Sequence, residues 1–181
     1  MTRKNGKIDI LLTLADYHEN IRILEQQLKE LLHRFVSGAT TDIRETFEIF
    51  FRHNLIYHFR FEELIVFPAV LKWQGGKEHS RRLAEYLTVH QKILKEAEDI
   101  VAVFNAINDG ILSHDEALRI GGLVARLGEA TGAHAADENI HLVPLVRDTP
   151  IIRYLAGRNY ITFRTLLRQL LAEVPRPAVA R

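Results

Sequence analysis

The sequence predicts an all-α protein, an up-down-up-down antiparallel four-helix bundle with an additional C-terminal helix. Three observations predict it. Apolar residues recur every three or four positions through five stretches, as one buried face of a helix requires. No stretch reads convincingly as a strand. The connections between the four long stretches are short, so neighbouring helices must run antiparallel.

The first stretch covers about 8–36, where Leu11, Leu14, His18, Ile21, Leu28 and Phe35 share one stripe. Ser37-Gly38-Ala39-Thr40-Thr41 breaks it. Asp42 then reads as an N-cap, with Glu45 three residues on to complete a capping box. The second stretch runs to about Trp73 and stops at Gly75-Gly76. The third runs from near Ser80 to Ile107, and Asn108-Asp109-Gly110 is a turn. Ser113 and Glu116 form another capping box, opening a fourth stretch that reaches about Arg147 before Asp148-Thr149-Pro150. A fifth, about 151–174, ends at Pro175-Arg176-Pro177. Four helices of roughly 28–35 residues, rising about 1.5 Å each, span about 40–50 Å. We read 1–181 as one domain, with its core bundle at about 8–147.

Composition narrows the function classes. Hydrophobic residues make up 47% of the 181 and charged residues 26%, the balance of a folded domain. Lys+Arg at 24 against Asp+Glu at 23 leaves +1, which supports neither a nucleic-acid footprint nor a polybasic membrane anchor. The longest apolar run, Leu64 to Leu71, is far short of a membrane span, and no signal-peptide pattern opens the chain. A cytoplasmic protein is the expectation. With no cysteine, disulfides, thiolate nucleophiles and sulfur-ligated metals are excluded, so any metal must be held through nitrogen and oxygen.

The second and fourth helices carry a shared pattern. One reads His58-Phe-Arg-Phe-Glu62-Glu63 and reaches Pro68; the other reads His134-Ala-Ala-Asp-Glu138-Asn139 and reaches Pro144. Each histidine has a glutamate four residues on and a proline ten residues on. A spacing of four puts imidazole and carboxylate on one helix face, a turn apart. Helices one and three each add a histidine, His18 and His90. The separations are similar, 40 residues from His18 to His58 and 44 from His90 to His134, so a helical hairpin is used twice. Imidazole suits iron, zinc, copper and nickel, while carboxylates can bridge two ions. Two buried carboxylates in an apolar bundle cost several kcal/mol without a cation.

Over about Ile8 to Arg147 this constellation resembles the hemerythrin-like HHE cation-binding domain. The resemblance implies an oxo-bridged di-iron centre, two Fe ions with Glu62 and Glu138 bridging and His18, His58, His90 and His134 as terminal ligands. Oxygen-carrying hemerythrins place a fifth histidine four residues from the one on helix three. Here that spacing gives Tyr86 and Leu94. His141, Tyr86 or water could take the extra position, His141 and Tyr86 as ligands or as groups behind the ligands. A water there leaves room for O2, NO or peroxide.

The remaining candidates have plainer readings. His33, His79 and His114 read as surface residues, and His53 lies about 140° round the helix from His58. Glu63 points about 100° away from Glu62, toward the surface or the back of a ligand. Phe47, Phe50, Phe51, Phe59, Phe61 and Phe67 read as core around the site. Pro68 and Pro144 should kink or end their helices. Gly121, Gly122, Gly128 and Gly132 are costly helix residues that suggest close approach or a bulge.

The function expected from this set is binding or redox processing of a small oxidant (O2, NO or peroxide) at a di-iron centre. Peroxide or oxygen chemistry is the enzymatic version, although no acid–base residue stands out beyond the ligands. Iron donation to damaged iron centres, and a metal-dependent sensor with a partner surface around Arg153, Tyr154, Arg158, Tyr160, Phe163 and Arg164, are the alternatives. The small ligand is the expected partner; no protein partner, nucleic acid or membrane is specified.

Overall fold

The computed structural model describes residues 15, 18–23, 26–27 and 30, then 40–107 and 113–147. Within them the chain forms four helices and no strand. The helical residues described between 15 and 30 form α1. Residues 40–74 form α2, Lys77–Ala106 form α3 and His114–Arg147 form α4. The fifth stretch, about 151–174, lies outside the described residues, as do its proposed partner-surface residues.

The helices alternate in direction. Arg44, early in α2, donates to Asn105 late in α3, whereas Phe67 further along α2 stacks on Tyr86 early in α3. The α3–α4 pair is antiparallel too, with Arg82 beside Asp137 and His90 beside His134. Across the bundle α2 and α4 run parallel, and Gln74 at the end of α2 donates to the Leu145 carbonyl near the end of α4. This is the up-down-up-down bundle the periodicity predicts.

Helix ends follow local chemistry. Ser113 Oγ accepts the Glu116 amide at 3.3 Å and Glu116 Oε2 accepts the Ser113 amide at 2.8 Å, the reciprocal capping box expected there. Asp42, expected as an N-cap, lies inside α2, which is already helical at Thr40. At the α2–α3 corner, His79 Nδ1–H donates to the Gln74 carbonyl at 2.6 Å. That histidine, read as a surface residue, is a half-buried pin for the turn.

α2 is continuous but irregular. It widens into π-helical turns at Phe50–Leu55 and Glu62–Val66, where the Ile56 amide reaches the Phe51 carbonyl and the Phe67 amide reaches Glu62, each five residues back. Pro68 lies two residues past the end of the second widened turn. Its ring crowds the carbonyl four residues back and offers no N–H to it, and a wider turn absorbs that misfit. Neither proline ends its helix: α2 continues to Gln74 and α4 runs past Pro144 to Arg147.

Two apolar clusters fill the interior. One joins Ile21, Phe47, Phe50, Phe59, Ile93, Ile100, Phe104, Ile120 and Leu127. The other joins Phe61, Phe67, Val70, Leu83, Tyr86, Leu142 and Val146. Each fully buried large side chain contributes about 1.5–3 kcal/mol. Between the clusters along the bundle lies a layer of buried polar residues: His58, Glu62, His90, His134 and Glu138.

Candidate metal centre

Every helix supplies at least one side chain to this layer. His18 comes from α1, His58 and Glu62 from α2, His90 from α3, and His134 and Glu138 from α4. The spacing of four works as the helix geometry requires: His58 Nε2 lies 3.5 Å from Glu62 Oε1, and His134 Nε2 lies 3.2 Å from Glu138 Oε1. Contacts between helices complete the set. His18 Nε2 is 3.2 Å from Glu138 Oε2, His90 Nε2 is 3.4 Å from Glu62 Oε2, and His90 and His134 bring their Nε2 atoms within 2.8 Å.

The six residues divide into two sets of possible ligands, His18, His58, Glu62 and Glu138, and Glu62, His90, His134 and Glu138. Within each set the donor atoms lie within 4.8 Å of one another. Both glutamates belong to both sets. That is the arrangement of two adjacent cation positions sharing two carboxylates.

The electrostatics match. Glu62 is fully buried and neither carboxylate oxygen receives a hydrogen bond. A buried carboxylate without donors costs several kcal/mol. Burial, and then the neighbouring Glu138, push its carboxyl well above the usual range. Burial acts the same way on Glu138, but the nearby imidazoles of His134, His18 and His90 outweigh it and hold that carboxyl well below the usual range; His18 hydrogen-bonds Oε2 at 3.2 Å, and Oε1 has no hydrogen-bond partner. Burial holds the His58 imidazole well below the usual histidine range. For His90 burial also acts downward, yet the Glu138, Glu62 and Glu63 carboxylates prevail and raise it to about 10. A cation between the glutamates relieves the Glu62 penalty and takes up the converging imidazole lone pairs. The donor set therefore fits a metal of the kind that accepts imidazole and carboxylate.

The two additional candidates lie differently. Tyr86 is buried, with its ring edge-on to His134 at 5.5 Å, and its hydroxyl makes no hydrogen bond of good geometry. Burial, then Asp137, raise its phenol above the ordinary value. It stands behind a ligand histidine and is in neither ligand set. His141 is 40% exposed and faces Asp137 at 3.5 Å, one turn back on the same helix, and it too is in neither set. Glu63 accepts a hydrogen bond from His90 Nδ1 at 2.9 Å. Phe59 stacks on the His90 ring at 3.9 Å and 8°, a contact that no periodicity signals.

Two clefts flank α4. One, about 390 Å³, lies along α1 and α4 and is bordered by His18, Ile21, Thr131 and Ala135. The other, about 470 Å³, lies along α3 and α4 and is bordered by Arg82, Tyr86, Lys92, His134 and Asp137. Each reaches a histidine of a different ligand set.

Among the described residues no helix is long and apolar enough to cross a membrane. Residues 9–146 match the family model described as the hemerythrin HHE cation binding domain. No curated protein and no solved structure matches the chain.

Proposed function

The chain belongs to the hemerythrin HHE cation-binding family, and from that premise we propose that it holds two iron ions and uses them to bind or redox-process a small oxidant such as O2, NO or peroxide. One observation carries this reading: two nitrogen-and-oxygen donor sets, contributed by four helices, that share Glu62 and Glu138. Imidazole and carboxylate without any thiolate suit iron in both common oxidation states.

When bound, the iron pair supplies a reversible change of oxidation state and a place for the small ligand. The chain supplies the rest. Glu62 and Glu138 offset the cations' charge from the middle of the bundle, and the four histidines bring neutral nitrogen from all four helices. Phe59, Phe61 and Phe67, all buried, exclude bulk water and lower the local dielectric. The cleft between α3 and α4 brings a small molecule to the His134 side. Burial of Glu62, His90 and Glu138 at 0% exposure favours retention of the metal over its delivery to another protein.

The test is metal analysis. Protein prepared with iron should contain about two Fe per chain and show near-ultraviolet bands that respond to reduction and to added azide or NO. A folded protein that takes up no iron in either oxidation state ends the reading. Rapid O2 release from peroxide, abolished by Glu138→Ala, would identify the enzymatic form of the same function.

A further inference from the structure

The His90 ring is held on several sides, and one of the carboxylates holding it belongs to neither ligand set. Phe59 stacks against it at 3.9 Å, and Phe67 lies nearly parallel to it at 5.7 Å and 25°. Two consecutive carboxylates of α2 address its two nitrogens. Glu62 Oε2 is 3.4 Å from Nε2 and Glu63 Oε1 is 2.9 Å from Nδ1. On a regular helix consecutive side chains diverge by about 100°. The widened turn at Glu62–Val66 lets both reach one ring of the neighbouring helix.

A carboxylate only accepts, so the hydrogen bond to Glu63 places a proton on Nδ1. The other Glu63 oxygen faces Arg60 Nη1 at 3.5 Å, and the Glu63 side chain is 17% exposed. The arrangement has no equivalent at the corresponding place in α4: Asn139, which follows Glu138 as Glu63 follows Glu62, is exposed. On the α1 side His18 Nδ1 is buried without a hydrogen bond.

We propose that Glu63 is a positioning residue for one half of the metal pair, fixing the proton of His90 on Nδ1 so that Nε2 faces the cation as a bare donor. The inference rests on the metal-pair reading above. A carboxylate behind a ligand imidazole fixes its ring and raises its basicity, and loss of such a partner typically weakens metal binding about 10–100-fold. The two cation positions are then unequal, the one served by His90 and His134 being the more firmly held.

Fe(II) titrated anaerobically into the full chain tests this, with Glu63→Leu, Glu63→Gln and the exposed control Glu45→Gln beside the wild type. Glu63→Leu should weaken one of the two binding steps by about 10–100-fold. Glu63→Gln, whose amide oxygen still accepts from Nδ1, should recover part of the loss, and Glu45→Gln should match the wild type. In metal-free protein, NMR should show a downfield, hydrogen-bonded His90 Nδ1 proton that Glu63→Leu removes and Glu63→Gln retains. A wild type that loads two irons while Glu63→Leu loads them equally tightly overturns this inference alone. A wild type that takes up no iron overturns it together with the metal-pair reading.

Discussion

Glu62 and Glu138 occupy matching positions on two helices that run parallel across the bundle, yet their surroundings differ. Glu138 sits in a regular helix with imidazole nitrogens of His18 and His134 at 3.2 Å. Glu62 opens a π-helical turn, and neither of its oxygens receives a hydrogen bond. Without a cation, the Glu138 carboxylate keeps a hydrogen bond from His18 and the Glu62 carboxylate keeps none. The half-site in α4 is the better prepared by protein contacts, while the half-site in α2 depends more on its ligand. The irregular helix is also the one that brings a second carboxylate, Glu63, to the centre.

The largest effect should come from neutralising each acid in turn. Glu62→Gln and Glu138→Gln should each abolish loading of the iron pair, measured as Fe per chain. In metal-free protein the two should part company. Removing one member of a buried, hydrogen-bonded charge cluster costs about 3–5 kcal/mol, so Glu138→Gln should destabilise by that order. Glu62→Gln replaces a penalised acid with a neutral amide of similar shape and should be neutral or stabilising. Urea unfolding in a chelator reads both; equal losses in the two variants would erase the distinction drawn here.

Phe59 sharpens the comparison from the packing side. It follows His58, whereas the residue after His134 is the half-buried Ala135. Phe59 is 2% exposed and lies flat on His90. Phe59→Ala, which makes α2 read like α4 at this position, should cost about 3–5 kcal/mol and loosen His90 as well. Ala135 carries no such ring, so Ala135→Gly should cost only about 1 kcal/mol, the helix-propensity difference. Thermal unfolding of the two variants is the check, and similar losses would mean that Phe59 only fills space.

The acids act at a distance through His90, and pH reads that. Its pKa in the fold is raised from 6.5 to about 10, against burial, by Glu138, Glu62 and Glu63. The stability it contributes is therefore fully present below about pH 6.5 and is lost as pH climbs toward about 10. Melting temperatures in a chelator should fall through that window. Iron-loaded protein, in which Nε2 is committed to the metal, should be much flatter over the same range. A metal-free protein whose melting temperature rises between those pH values would contradict the charge arrangement around His90.

Much of this was legible from residue spacing. Periodicity located α2, α3 and α4 to within a few residues, and the repeated His-x-x-x-Glu offset marked side chains that the fold does bring together with His18 and His90. The irregularity of α2 was not legible, because no glycine or turn residue marks the widened turns, and Pro144 sits in a helix that stays regular. For the same reason the 100° rule set Glu63 apart from Glu62, although the widened turn aims both at one ring. His141 shared a stripe with His134 but is 40% exposed and faces Asp137 at 3.5 Å. Stacking of Phe59 on His90 joins residues 31 apart on different helices, beyond any local pattern.

The smallest effect concerns the regular helix. The glycines of α4 suggested close helix approach, but a Cβ added at Gly121 meets no atom within 4 Å, and none within 4 Å at Gly132. Packing therefore gives no reason for glycine at position 121, and its backbone is helical. Gly121→Ala should lower the entropy lost on folding and stabilise by up to about 1 kcal/mol, raising the melting temperature by about 2–4 °C. Gly121 lies 13 residues before His134, over three turns from the ligands, so iron loading should not change. A fall in melting temperature would reveal a constraint on α4 that its regular hydrogen bonding conceals, and would weaken its standing as the better prepared half of the centre.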